Sequence, residues 1–377
     1  MSGYSILSDG SMTLLACTFL SVLIYFPGLS TWADIFIVPK DFVISAMSTL
    51  CAFSLYSAWL KGRRIALPLL LSVGIYVAFC LLSLKNAVSW HLVLKQTYFD
   101  LMGFSFFWFV VNTVKHDRVK VMLEIIILIV TASASFALMG FNIGQRWSAT
   151  MGNPEYMAGL TTLAIGASIS LLSSSWLFIL VLMSHLFFAQ ARSAVFGLAL
   201  GILIILFLRN SIKHFFIATG LLIILFLVLF KTGIFGSQWM SLDISSRLQV
   251  YRASAAHAMK YPVFGIGRGN FQLHSYSFVY NYGGADFHTY YSRLHNDYLQ
   301  LWLEAGPIAF GIWLFILWRI LWPIPPSLLG IGLFIGLIAA LFRAIFLFPF
   351  QLGPDVAYFW IVAGLYWVVK NEPARFV

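Results

Sequence analysis

Between Leu294 and Gly306 the chain reads Leu-His-Asn-Asp-Tyr-Leu-Gln-Leu-Trp-Leu-Glu-Ala-Gly. His295, Asn296, Asp297, Gln300 and Glu304 thus crowd the mouth of a run that soon becomes wholly apolar. Ionisable groups at such a depth are costly, which points first to function. An imidazole, with its ordinary pKa of about 6.5, is the natural proton acceptor near neutrality. Asn296 and Asp297 can cap the helix that follows. His295, Leu299 and Trp302 share a helical face, so the histidine turns inward with them. The plain alternative is a core histidine bonded to a backbone carbonyl. Glu304 is either a paired buried acid or a group that orients the histidine.

Five arginines come into question beside such a base. Arg192 lies in Gln190-Ala191-Arg192-Ser193, at a hinge between two apolar runs. A guanidinium binds phosphate through two parallel bonds and never deprotonates, which suits a diphosphate clamp. Snorkelling to the membrane interface is the alternative. Arg268 sits in Gly265-Ile266-Gly267-Arg268-Gly269-Asn270, where glycines allow a backbone to approach a ligand and turn amides toward an anion. A tight turn with a solvated arginine fits that pattern equally well. Arg247 and Arg252 flank Tyr251 on a predicted helix, where a solvated basic face is the simpler reading. Arg146 and Asn153 belong to a further loop, Gly144 to Tyr156, whose Asn-Pro pair is a turn and helix-start signal. No paired acids stand at metal spacing in a loop, and no His-x-x-x-His, Walker loop or nucleophile elbow occurs. The chemistry expected is free of metal and cofactor, built from arginine and histidine.

The elements that position these groups must cross a membrane. Hydrophobic residues make up 61% of the 377 and charged ones 10%, too few to build a water-facing surface. The mean hydropathy is +0.90. The net charge of +10 falls in short clusters between apolar runs, which suits topology signals and anionic lipid rather than nucleic acid. Cys17, Cys51 and Cys80 lie in apolar runs and read as core packing. No Lys or Arg precedes the first run, so no cleaved secretory signal is expected.

Runs near spanning length fall at 11–29, 41–60, 66–84, 97–114, 119–141, 157–174, 175–191, 193–208, 213–231, 295–322, 327–348 and 355–370. This predicts an all-α integral membrane protein of about twelve spans, with the block 157–208 open to another partition. Lys61, Arg63, Arg64, Lys115, Arg118, Lys120, Arg209, Lys213, Arg319, Lys370 and Arg375 would occupy one side. Lys40, Lys85, Lys95, Arg146, Arg192 and Arg343 would occupy the short loops of the other. The richer side is the cytoplasmic one, so both termini are expected there. Residues 1–231 then hold spans one to nine, 232–294 form one long outer loop, and 295–377 hold the last three spans. In that loop, Asp243 to Met259 predicts an amphipathic helix, with Leu248, Tyr251, Ala255 and Met259 on its apolar stripe and Pro262 as its stop. An aromatic and polar stretch, Tyr276 to Tyr291, leads on to His295.

The hinge arginine, the run from Ser246 to Tyr261-Pro262-Val263-Phe264-Gly265-Ile266-Gly267-Arg268-Gly269-Asn270-Phe271, and His295-Asn296-Asp297-Tyr298-Leu299-Gln300 with Glu304 and Gly306 together resemble the O-antigen ligase family of bacterial membrane glycosyltransferases. Gly152-Asn153-Pro154 and Phe348-Pro349 add to the likeness, which covers about residues 140–360. The resemblance implies a GT-C-like helical fold in the bacterial inner membrane, with its active site facing the periplasm between the ninth and tenth spans. It implies transfer of a glycan from undecaprenyl diphosphate to an acceptor hydroxyl, lipid A-core being the first expectation, without metal or nucleotide sugar. On this resemblance Arg192, Arg268 and His295 are the catalytic candidates. Arg247, Asn296, Arg146, Asn153 and Tyr251 are further substrate-binding candidates. The long loop is rather short for the family.

Chemistry and resemblance together suggest one scheme. Arg192 and Arg268 neutralise the departing diphosphate while His295 takes the acceptor proton, with inversion at the anomeric carbon. Three other readings compete. An O-antigen or exopolysaccharide polymerase would use the same donor with a lipid-linked acceptor, and a related enzyme would modify protein hydroxyls. A secondary transporter fits the span count but lacks a two-fold repeat, and its polar residues would gather at the midplane rather than at one face.

Overall fold

The computed structural model describes residues 8–21, 38–139, 142–143, 146–147, 149–209, 213, 215–217, 219–220, 244–275 and 292–371. The ninth predicted run and the stretch Tyr276 to Tyr291 fall outside them, apart from a few positions of the former.

The described chain is helical: α1 Ser8–Leu20, α2 Val38–Leu60, α3 Leu70–Leu82, α4 Trp90–Thr113, α5 His116–Ser135, α6 Pro154–Ser170, α7 Leu172–Phe188, α8 Arg192–Arg209, α9 Ile244–Ala258, α10 Asp297–Leu321, α11 Leu328–Arg343 and α12 Gly353–Lys370. A single antiparallel pair, β1 Asn142–Ile143 with β2 Arg146–Trp147, tightens the loop before α6. Helices are the solution that satisfies every backbone group within its own segment, as lipid demands. By length and apolarity α2, α8 and α10 suffice to cross a membrane, and shorter apolar helices accompany them. Their outward faces are apolar, with Leu71 78% and Phe42 75% exposed. This is a multi-pass membrane protein. The block 157–208 resolves into α6, α7 and α8, close to the division read from the sequence.

Small residues set the packing. Gly166 of α6 meets Gly332 and Gly336 of α11, while Gly197 and Gly201 of α8 lie on Ala339 and Ile335 of the same helix. Backbones approach this closely only where side chains are absent. The pairing 197 with 339 and 201 with 335 also makes α8 and α11 antiparallel.

Hydrogen bonds then sort the helix ends. Asp297 N donates to Ala344 O at 2.9 Å, joining the start of α10 to the end of α11. Gly353 N donates to Asp41 Oδ1 at 2.9 Å, joining the starts of α12 and α2. At the opposite end Lys370 donates to Ile320 O at 3.0 Å and Arg209 to Pro326 O at 2.9 Å. The connections bearing Lys61, Arg63 and Arg64, then Lys115 and Arg118, follow the ends of α2 and α4 and lie at this Lys370 end.

Two sequence expectations are corrected. Arg343 is no loop residue: it ends α11, 1% exposed, paired with Asp355 at 3.4 Å and donating to Glu155 O. Cys51 and Cys80 are buried, but Cys17 is exposed on the bundle surface.

Candidate active site

The chain enters α10 through Leu294, His295 and Asn296. Asn296 caps the helix, its side chain accepting from Leu299 N at 2.9 Å. His295 has φ +57, a left-handed backbone that costs a non-glycine residue about 1–2 kcal/mol. Bonds on both sides hold it there. Leu294 N donates to Gln300 Oε1 at 3.0 Å, and Tyr251 Oη donates to His295 O at 2.8 Å. The imidazole packs edge-on to Phe348, 5.0 Å between ring centres, and its buried Nδ1 meets no partner among the described residues. Burial, reinforced by the positive charge of Arg247, lowers the His295 pKa to about 4. The ring is therefore neutral at physiological pH, with a lone pair to offer.

Phe348 gathers other groups around the histidine. Tyr156 stands 5.8 Å from it, and the Arg293 guanidinium lies over its face at 5.9 Å while donating to Gln351. Arg247 is exposed on α9 and donates to Phe346 O at 3.2 Å. Asn153 caps α6, accepting from Glu155 N at 2.9 Å, and so brings Tyr156 to this corner. Arg192 opens α8 just after Gln190, which has φ +53, and is half-buried. The antiparallel register of α8 and α11 puts Arg192 at the Ala344 end, the end that holds His295. Arg146 lies in β2, and its side chain is outside the described residues.

The stripe expected on α9 is not the one buried. Leu248 is 42% and Met259 70% exposed, while Val250, Ala253 and Ala258 pack with Ile266, Phe271, Leu294 and Leu303 in a small core of their own. Alanines let α9 lie close against α10, and that places Tyr251 beside His295.

Arg268 is turned inward. Its Nε and Nη2 meet Asp100 Oδ2 and Oδ1 at 3.0 and 2.9 Å, and its Nη1 meets Glu304 Oε2 at 2.7 Å. The side chain is almost wholly buried, and the two carboxylates outweigh burial to hold it charged. The glycine loop does not present its amides to an anion either. Ile266 N and Gly267 N donate to Leu303 O and Glu304 O at 3.0 Å each, and Arg268 N donates to Ser83 Oγ at 2.9 Å.

Those two carbonyls are available because the sequence breaks α10. Pro307 has no N–H for Leu303 O, and Gly306, at φ 84 and ψ 169, breaks the helical turn beyond Glu304. Gly265 and Gly306 must lack side chains here: a Cβ on either would lie 2.5 Å or less from backbone of the other segment.

Several contributors escaped the sequence reading. Asp100 sits inside α4, and an acid within an apolar run was the available signal. Arg293 stands two residues before His295 and had no motif to mark it. Gln351 bonds Asp297, Gln300 and Arg293, a convergence that no local pattern foretells. The Arg343–Asp355 pair is housed by Gly159, where a Cβ would fall 2.0 Å from Asp355 Oδ1. Among the described residues, no group of three His, Cys, Asp or Glu comes together to hold a metal ion.

Residues 174–314 match the profile of the O-antigen ligase family. This region is similar to the O-antigen ligase family. That family is one of membrane enzymes of glycosyltransferase type. The matched stretch includes Arg192, Arg247, Arg268 and His295, whereas Asp100, Phe348 and Gln351 lie outside it. No curated protein matches the chain.

Proposed function

We propose that this protein transfers a glycan from undecaprenyl diphosphate to an acceptor hydroxyl, with lipid A-core as the acceptor, at the periplasmic face of the inner membrane. The observation that carries the reading is a neutral, strained His295 set among Arg247, Arg293 and Tyr251, at the helix ends where Arg192 also lies. His295 accepts the hydroxyl proton as the acceptor oxygen bonds to the anomeric carbon. The bond from that carbon to the diphosphate oxygen breaks, and its electron pair leaves with the diphosphate. Arg192 and Arg247 meet the charge that grows there. Direct displacement inverts the anomeric centre. The polyprenyl tail stays in lipid, since its transfer to water is costly. Arg268, already neutralised by two acids, contributes by holding the fold.

The test is transfer by the purified protein in vesicles, given an undecaprenyl-diphosphate glycan and either lipid A-core or a second lipid-linked glycan. Ligation requires product on lipid A-core. Chain extension of the lipid-linked glycan alone would make the enzyme a polymerase, and a folded His295→Ala protein with full activity would remove the histidine from the mechanism.

A further inference from the structure

We propose that Asp100 and Glu304 are positioning residues for His295, acting through Arg268 and Gln300. The inference rests on the glycosyl-transfer reading above for its kinetic consequence, though its structural part stands apart from it.

The chain of contacts is continuous. Asp100 on α4 holds Arg268 through two bonds, and Arg268 holds Glu304 on α10. Glu304 Oε1 accepts from Gln300 Nε2 at 2.9 Å, and Gln300 Oε1 accepts from Leu294 N at 3.0 Å, one residue before the histidine. Every member is buried or nearly so, with Glu304 at 0%. Buried ions are costly unless they are paired and hydrogen-bonded, and here each of the four carboxylate oxygens has a partner. Tyr76 Oη donates to Asp100 Oδ2 at 2.8 Å, and Phe271 N donates to Glu304 Oε1 at 3.2 Å. The cluster holds Glu304 in place, and Glu304 Oε1 in turn takes the Gln300 amide, which sets the way Gln300 faces.

That direction matters because of the backbone at His295. A left-handed non-glycine residue persists only where its surroundings over-determine it. Leu294 N is the upstream tether, Tyr251 the tether on the carbonyl, and Asp297 N, bonded to Ala344 O, the downstream one. Gln300 is oriented on its other side by Gln351, whose Nε2 donates to Gln300 Oε1 at 3.0 Å and to Asp297 Oδ1 at 2.7 Å. Loss of the upstream tether lets His295 relax toward ordinary φ and swings its ring from Phe348.

The experiment uses Asp100→Asn, Glu304→Gln and Gln300→Met, the last removing the side-chain bonds to Leu294, Glu304 and Gln351 while leaving the Asp100–Arg268–Glu304 ion cluster in place. Three readouts are taken on the vesicle-reconstituted protein: kcat, the KM for the undecaprenyl-diphosphate donor, and the pH profile of hydrogen–deuterium exchange at the His295 C2 position. We expect kcat to fall 10- to 100-fold in all three, the donor KM to stay within threefold, and the His295 midpoint to move from its wild-type value. Restoring the acid with Asp100→Glu should recover kcat further than Asp100→Asn does.

A tenfold rise in donor KM with kcat preserved would overturn the proposal, because Arg268 would then be a diphosphate ligand held in reserve. An unchanged His295 profile in Gln300→Met would also overturn it. If the acid variants fail to fold, Gln300→Met alone decides. If the wild-type protein transfers no glycan, the functional reading fails while the exchange profile still judges the link from Gln300 to His295.

Discussion

Gly306→Ala tests whether the break in α10 is what latches the glycine loop. A Cβ at this position would stand 2.0 Å from Val263 O, at a backbone φ of +84. Holding alanine there costs about 1–3 kcal/mol. The clash forces the Val263–Gly267 segment away, and the bonds from Ile266 N to Leu303 O and Gly267 N to Glu304 O lengthen or break. Each is worth about 1 kcal/mol net. The sum, about 3–5 kcal/mol, acts on one segment, so local opening should accelerate by upwards of about 100-fold at 1.36 kcal/mol per decade. Amide hydrogen exchange over peptides spanning 263–271 reads this directly. Gly311→Ala is the control, since it lies in the same helix with nothing within 4 Å of an added Cβ. Exchange within threefold of wild type in Gly306→Ala would refute the latch.

Other expectations follow from the same geometry. Asp355→Leu strands the buried Arg343 charge and should cost about 3–5 kcal/mol in thermal or denaturant unfolding, whereas the double variant Arg343→Met with Asp355→Leu should regain most of it; equal losses in both would deny the pair its role. Because the folded pKa of His295 lies near 4, below its ordinary value, its neutral form favours the fold above about pH 6.5. That stability is lost as pH falls from 6.5 toward 4. Transfer activity should accordingly hold to about pH 5, with an acid limb near 4 that moves upward in Arg247→Ala; a wild-type limb at 6.5 would contradict the burial argument. Arg192→Lys keeps the charge but loses the two-bond fork, and should raise donor KM about tenfold in a steady-state assay. Tyr251→Phe removes one bond to His295 O, worth about 1 kcal/mol, and should lower kcat about fivefold with donor KM unchanged.

Local pattern carried much of this protein. Composition alone demands a membrane bundle, and Gln190 to Ser193 reads as a hinge and is one. Asn153 and Asn296 read as helix starts and cap α6 and α10. The apolar pattern places the beginning of α4 at 97 whereas the helix starts at Trp90, because Lys95 and Gln96 interrupt the pattern there. Gln96 is nevertheless buried, lying against Gly269 of the glycine loop. On α9, spacing points to the large residues, while close helix packing buries Ala253 and Ala258 instead.

The sequence by itself determined that helices cross a membrane and where most of them lie, and it singled out arginines and one histidine as candidates. Those follow from hydropathy, period and side-chain chemistry, which are properties of neighbours in the chain. Only the tertiary structure decided which arginine is spent internally. Arg268 meets Asp100 across 168 positions, and nothing near either residue specifies the pairing. The same holds for His295, whose left-handed backbone is set by Tyr251, Gln300 and Ala344 together. A buried charge takes whatever partner the packed helices bring within reach, and that choice is made by the whole fold at once.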